Sequence, residues 1–257
     1  MLSVERELLI IEKLKHYGKV MVNDLAADLE VAAMTIRRDL LRLEQRGLLQ
    51  RVHGGAVQLN GLTNEKAFVE KRLIHPEEKR LIAKEALKLV SEGETVLLDA
   101  GTTTFELAVL FGEMRGIDVV TNDLQVAQQL CSTAGKLFFI GGEIEKNIAR
   151  STGAKAFQFL SDVHVDTVFL GVSAISDDFV LCSHSFENAE LKLAMLRCGS
   201  KKVLLADKSK FGIKAFAQIG PLSLIDILVT DKAFDDREMK YLETHGVTLC
   251  QVVPKPI

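Results

Sequence analysis

Residues 33–57 read AMTIRRDLLRLEQRGLLQRVHGGAV, and they decide the fold of the N-terminal part of the chain. Apolar Met34, Ile36, Leu40, Leu41 and Leu43 recur at helical spacing from about Ala33 to Gln45, with Arg37, Arg38 and Arg42 around the polar side. Gly47 stops the helix. Two short β-prone runs around Gly54-Gly55 then signal a hairpin. Upstream, Arg6–Tyr17 is expected to be a helix using Leu8, Leu9, Ile11 and Leu14, ended by Gly18. A shorter helix fits Asn23–Leu29, with Asn23 as N-cap and Leu25, Ala26 and Leu29 facing inward. A tight connection follows at Glu30-Val31.

Two helices, a short turn, a third basic helix and a hairpin describe a winged helix-turn-helix. Such a unit suits DNA, because a helix enters a major groove about 12 Å wide. The start of the third helix would carry Met34, Thr35, Arg37 and Arg38 toward bases and phosphates, with Arg42 farther along. Its N-terminus also favours an anionic phosphate. On the hairpin, Arg51 and His53 would reach the flanking backbone. The chain total of −3 argues against this, but its distribution does not. Residues 33–57 hold five basic and two acidic side chains, net +3. Residues 1–32 hold four and six, net −2, and residues 77–257 hold twenty and twenty-five, net −5. Local charge, rather than the total, governs contact with phosphates.

Residues 58–75 read as a linker, with helical character possible on either side of Pro76. From 76 onward, apolar β-branched runs alternate with helical stretches. Strands are expected at 95–100, 117–122, 136–142, 166–172, 202–207, 226–231 and 247–253, with helices at 77–91, 103–113, 123–133, 153–160, 187–198 and 234–245. That alternation predicts a mostly parallel sheet covered on both faces, a doubly wound Rossmann-like α/β domain.

The polar residues of this domain gather where its strands should end, the edge at which open α/β sheets bind ligands. Asp99 leads into Gly101-Thr102-Thr103-Thr104, whose backbone N–H groups and hydroxyls suit a phosphate. Asn122, Gly142, Arg150, Ser151 and Gly153 follow at the next two strand ends. Asp99, Asn122 and Glu190 have the chemistry to bind sugar hydroxyls, and Lys192, Lys208 and Lys210 to balance phosphate charge. No G-x-G-x-x-G follows a strand, which disfavours a dinucleotide.

The motifs TIRRDL, L-E-x-x-G-x-L and RVHGGA resemble the N-terminal domain of DeoR-type transcriptional regulators. That family usually places Ser where this chain has Ala32, a loss of an N-cap that typically costs about 1 kcal/mol. DAGTTT, TND, GGE, FLG, the stretch Glu187–Met195 and LLADKSKFG resemble the same family's effector domain, in the expected order. The resemblance implies a fold related to ribose-5-phosphate isomerase and glucosamine-6-phosphate deaminase. It implies a phosphorylated sugar or sugar alcohol as effector, repression of a carbohydrate operon from operator DNA, a homo-oligomer (dimer or tetramer), a cytoplasmic location and no cofactor. Carried onto matching positions, the effector site comprises Asp99, Gly101, Thr102, Thr103, Asn122, Gly142, Glu190, Lys192, Lys208 and Lys210. His184 and Ser185 are candidates for selecting the sugar, against the plainer reading of His184 as a partly buried loop residue.

The 257 residues, 47% hydrophobic and 26% charged, exclude disorder and a disulfide scaffold. No apolar run reaches the ~18 residues of a membrane helix, and the first residues do not read as a signal peptide. Cys131, Cys182, Cys198 and Cys250 lack metal or disulfide spacing and are expected to be buried free thiols. An isomerase-like enzyme, with Asp99, Glu190 and Lys192 around a substrate C–H, is the competing reading. An enzyme alone has no use for TIRRDL and its wing.

Overall fold

The computed structural model describes residues 3–17, 19–46, 48–52, 54–57, 65–112, 116–132 and 135–253. Gly18, Gly47 and His53 lie outside the described residues. The chain forms two compact units, Met1–Lys66 and Ala67–Ile257.

The first unit runs α1 (Ser3–Tyr17), β1 (Lys19–Met21), α2 (Val22–Asp28), α3 (Ala33–Gln45), β2 (Gln50–Val52) and β3 (Gly55–Val57). Ile10, Leu14, Leu25, Ile36, Leu40, Leu43 and Leu49 close its core. Burial of this set supplies its main stabilisation, since each buried Leu or Ile contributes roughly 1.5–3 kcal/mol. The hairpin is antiparallel, and β1 completes a three-stranded sheet in the order β1-β3-β2. At Gly55 a Cβ would stand 2.1 Å from the Val20 carbonyl oxygen, so only glycine lets β3 close onto β1.

Three expectations fail here. The inward face of α1 is Arg6, Glu7, Ile10 and Leu14, whereas Leu8 and Leu9 are exposed. The face is set by Arg6, which turns in to meet Asp39 on α3. On α3, Leu41 is exposed, because the core takes Ile36, Leu40 and Leu43, and Met34, expected both among the apolar positions and toward DNA, is exposed. Finally, α2 is capped by Met21 without a side-chain bond, and Asn23 sits inside its first turn.

The second unit begins with α4 (Phe68–Leu73) and α5 (Pro76–Leu87), followed by β4 (Thr95–Leu98), α6 (Thr102–Phe111), β5 (Asp118–Thr121), α7 (Leu124–Leu130) and β6 (Leu137–Phe139). A hairpin of β7 (Glu143–Glu145) and β8 (Arg150–Thr152) leads to α8 (Ala154–Ser161) and β9 (Val165–Gly171). Then come β10 (Ala174–Ile175), β11 (Val180–Ser183), α9 (Phe186–Cys198), β12 (Gly199–Leu205), β13 (Ala217–Pro221), β14 (Ile227–Thr230), α10 (Asp236–Thr244) and β15 (Thr248–Gln251). Seven strands form one sheet, ordered β15-β14-β12-β9-β4-β5-β6, with every pair parallel.

Alternation along each strand divides the core between two faces. Val96, Leu98, Phe169, Val203 and Leu205 pack with α5, α6 and α7. Leu97, Val168, Leu170, Leu204 and Leu228 pack with α8, α9 and α10. A small sheet, β10-β11-β13, sits beside the latter face and was not foreseen. Part of the expected linker is also structured, since α4 belongs to the second unit and Phe68 is buried in its core. All four cysteines are free, but Cys131 is exposed and Cys250 half-buried, so only Cys182 and Cys198 match the expectation of burial. Among the described residues no helix is long and apolar enough to cross a membrane.

Candidate functional site

On α3, 3.6-residue periodicity puts Met34, Arg37, Arg38 and Leu41 on one stripe, and all four are exposed. Thr35 is half-buried beside them, its N–H bonded to the Ala32 carbonyl at 2.8 Å. Ala32 is the N-cap and makes no side-chain bond, leaving the first-turn N–H groups without a hydroxyl cap. No carboxylate among the described residues pairs with Arg37 or Arg38.

The other arginines of this segment are engaged at home. Asp39 is fully buried and accepts from Arg6, whose Nη2 lies 3.1 Å from Oδ1. Arg42 also bonds Asp39 and reaches Glu7 at 3.1 Å, while Arg46 reaches Glu7 at 2.7 Å. Arg51 pairs with Glu44 at 2.8 Å. The RRDL sequence is thus a division of labour, in which Arg37 and Arg38 face out and Asp39 ties α3 to α1. Arg42 and Arg51, expected at the phosphates, are committed to protein carboxylates first.

In the second unit the chain leaves β4 in one direction toward β5 and β6, then returns to β9 on its other side. The carboxyl ends of β4 and β9 are therefore the switch point of the sheet, the place where open α/β sheets generally take a ligand. Asp99 follows β4 and Gly171 ends β9 at that point. The Gly171 N–H donates to Asp99 Oδ2 at 3.1 Å. Lys192, from α9, donates to the same oxygen and to the Gly171 carbonyl at 3.0 Å. Both side chains are buried, and Asp99 Oδ1 has no hydrogen-bond partner among the described residues. Asn188 Oδ1, one turn earlier on α9, is likewise buried without a partner, while its Nδ2 donates to Ser183 Oγ at 2.7 Å. Two buried acceptors of this kind suit a ligand that brings hydroxyl donors.

Beside them, Thr104 Oγ1 donates to the Asp99 and Gly101 carbonyls at 2.7 and 2.8 Å, tightening the turn that opens α6. Thr102 and Thr103 are buried in that turn. The Gly101 N–H is held 3.2 Å from Asp123 Oδ2, whose Oδ1 caps α7 through the Gln125 and Val126 N–H groups. Burial pushes the Asp123 carboxyl up to about 6, against those three N–H donors. An internal carboxylate thus already occupies one donor that a phosphate would use. Asp123 was missed because a strand-end Asp before a helix reads as an N-cap alone.

Several expected ligands have other duties. Asn122 is buried and spans two elements, accepting from the Ala100 N–H at 3.0 Å and donating to the Ser151 carbonyl at 3.3 Å. At Gly142 a Cβ would stand 2.1 Å from the Thr152 carbonyl oxygen, so glycine is needed for the hairpin itself. Glu190 is exposed, and at 100° per residue it lies about 200° around α9 from Lys192, on the far side from Asp99. Arg150 is buried and paired with Glu145. Ser185 caps α9 through the Asn188 N–H at 3.2 Å, and His184 is half-buried. Lys208 is exposed and leans toward Asp231 at 3.8 Å, while Lys210 is half-buried. The structure therefore brings together Asp99, Gly101, Thr102, Thr103 and Lys192, leaves Lys208 and Lys210 on the loop after β12, and places Glu190 on the exposed face of α9 away from Lys192.

Comparison with known proteins matches residues 6–61 to a DeoR-like helix-turn-helix domain and residues 74–232 to a DeoR C-terminal sensor domain. The HTH-type transcriptional regulator GlpR of Haloferax volcanii is 34% identical over 99% of this chain and 100% of its own. The glycerol-3-phosphate regulon repressor of Escherichia coli is 30% identical over 97% of this chain and 99% of its own. A solved ribose-5-phosphate isomerase A from Methanocaldococcus jannaschii superposes with a TM-score of 0.40 and 18% identity, over 53% of this chain and 55% of that one. The chain belongs to the DeoR family of DNA-binding transcriptional regulators, with a helix-turn-helix reader followed by a sensor domain.

Proposed function

We propose that the protein represses a carbohydrate-catabolic operon and leaves its operator when a phosphorylated sugar or sugar alcohol binds the sheet edge. One observation carries the reading: Arg37 and Arg38, exposed without a carboxylate partner, share a chain with a sheet switch point where Asp99 Oδ1 is a buried acceptor with no partner among the described residues. A relative named as the glycerol-3-phosphate regulon repressor supports it. In this reading α3 enters the major groove with Met34, Thr35, Arg37 and Arg38 at its face. The effector's hydroxyls meet Asp99, and its phosphate meets the Gly101–Thr103 turn together with Lys208 and Lys210.

The protein acts as a cytoplasmic homo-oligomer, a dimer or a tetramer, because operators read by such helices are two-fold repeats. It turns over no sugar. This part of the reading rests on relatives named as a transcriptional regulator and as a regulon repressor. Fluorescence anisotropy on DNA from upstream of its own gene tests the reading. Hexose, pentose, triose and hexitol phosphates are added in turn, and one of them should weaken binding about tenfold or more. Unaltered affinity across the whole panel would contradict it.

A further inference from the structure

Along the chain, the first element of the second unit is α4, six residues long. A helix that short is not stable by itself in water. It stands because of its attachments, and these converge on the ligand edge. The Phe68 ring meets Phe105 edge-on at 5.5 Å, and the Arg72 guanidinium lies 4.8 Å from the centre of the same ring. The Phe68 N–H donates to the Asn147 carbonyl at 3.3 Å, in the loop between β7 and β8. Buried Lys79, on α5, donates to the Ile74 carbonyl at 2.6 Å and to the Lys71 carbonyl, closing the last turn of α4.

Phe105 directly follows Thr102-Thr103-Thr104, and its own N–H is bonded to the Gly101 carbonyl at 2.9 Å. The ring that holds α4 therefore moves with the turn proposed to receive phosphate. Lys79 points the same way. Burial lowers its ammonium to about 8, with Asp207 opposing and Lys210 reinforcing that shift, so the latch lies within the field of the loop that carries Lys208 and Lys210.

We infer that α4 is a strap across the sensor's ligand edge, and that Phe68, Arg72 and Lys79 are positioning residues that couple effector binding to the reader. This rests on the effector reading proposed above. Occupation of the Gly101–Thr103 turn displaces Asp123 from the Gly101 N–H, shifts Phe105 and changes the seating of α4. The chain arriving from the reader enters the sensor through that helix. Packed contacts of this kind switch between discrete arrangements rather than yielding smoothly.

The test uses the full chain with glucose 6-phosphate, fructose 1-phosphate, ribose 5-phosphate, dihydroxyacetone phosphate, glycerol 3-phosphate and sorbitol 6-phosphate as probes. In the native protein at least one should weaken operator binding by about tenfold. If none binds or acts, the effector reading itself fails and the strap fails with it. With an active probe, Phe68→Ala and Arg72→Ala should each hold their separate affinities for operator and probe within about threefold of native, while the ratio linking them falls about fivefold. Arg72 is exposed, so its variant remains decisive where Phe68→Ala does not fold. In the native protein the same probe should also change trypsin cleavage after Lys71 and Arg72 by about fivefold, relative to cleavage after Arg237 and Lys240. Native coupling in the Arg72→Ala protein, with cleavage at α4 indifferent to the probe, would overturn the strap while leaving the effector reading intact.

Discussion

The reader helix and the sheet edge handle charge in opposite ways. On α3, Arg37 and Arg38 are exposed with no carboxylate partner among the described residues, while Asp39 between the two helices is spent on structure. At the sheet edge, Asp99 and Lys192 are buried against each other, and Asp123 holds the Gly101 N–H. The reader is therefore set for a polyanion and its affinity should follow ionic strength. In the proposed reading the sensor's edge offers little bare charge, so hydroxyl donors of the ligand and backbone N–H groups of the chain would do the recognising, with Lys208 and Lys210 at the rim. Such a site discriminates by unsatisfied buried acceptors, which penalise a ligand lacking the right donor.

The comparison breaks most readily at Asp39. Asp39→Ala removes the buried carboxylate that Arg6 and Arg42 share, a loss of about 3–5 kcal/mol for a buried pair stripped of one member. Urea denaturation should show the reader unfolding early, with operator binding abolished. An Asp39→Ala protein that still binds operator would mean the pair is dispensable. Next in size, Arg38→Ala should weaken operator binding by about tenfold or more and lower the salt-dependence slope by about 1. Arg42→Ala should chiefly destabilise the reader, because its guanidinium is engaged by Glu7 and Asp39. Equal salt slopes for the two variants would erase the distinction between free and engaged arginines.

At the edge, Lys210→Ala should spare operator binding and require about tenfold more sugar phosphate for release. A variant released at native concentrations would clear Lys210. The smallest effect concerns pH. The Asp123 carboxyl is pushed up to about 6, above its unfolded value of 3.8, so its charged form costs stability when folded. Folded protein takes up this proton before the unfolded chain does. Asp123 therefore destabilises fully above about pH 6, and the cost fades as pH falls toward 4. Asp123→Asn should flatten that rise on acidification, a difference of about 2 °C in melting temperature between pH 7 and pH 5. Identical pH profiles would remove Asp123 from this role.

Much of the architecture is legible in the residues because its strongest elements obey simple periods. The recognition helix runs over Ala33–Gln45 as its spacing predicts, and all seven strands of the large sheet fall within the apolar runs or beside them. Strands buried on both faces announce themselves by unbroken Val, Leu and Ile. What stays hidden is short, polar or long-range. The β7-β8 hairpin is built of Glu143-Ile144-Glu145 and Arg150-Ser151-Thr152, which carry no apolar pattern. The Arg6–Asp39 pair joins residues 33 apart, so nothing near Arg6 reveals that it points inward. The exposed position of Glu190 was open to helical arithmetic, since two residues on from Asn188 is the opposite face of α9. Asn122 is subtler, because a strand-end Asn serves equally as a ligand or as a brace between strands, and only its neighbours decide.

The central claim is that operator and sugar phosphate compete through one chain. Calorimetric titration of the active sugar phosphate into the protein, free and then saturated with operator DNA, tests it most directly. Linkage requires operator to weaken the sugar's affinity by the same factor, about tenfold, by which the sugar weakens the operator's. An identical sugar affinity in the two titrations would contradict the account.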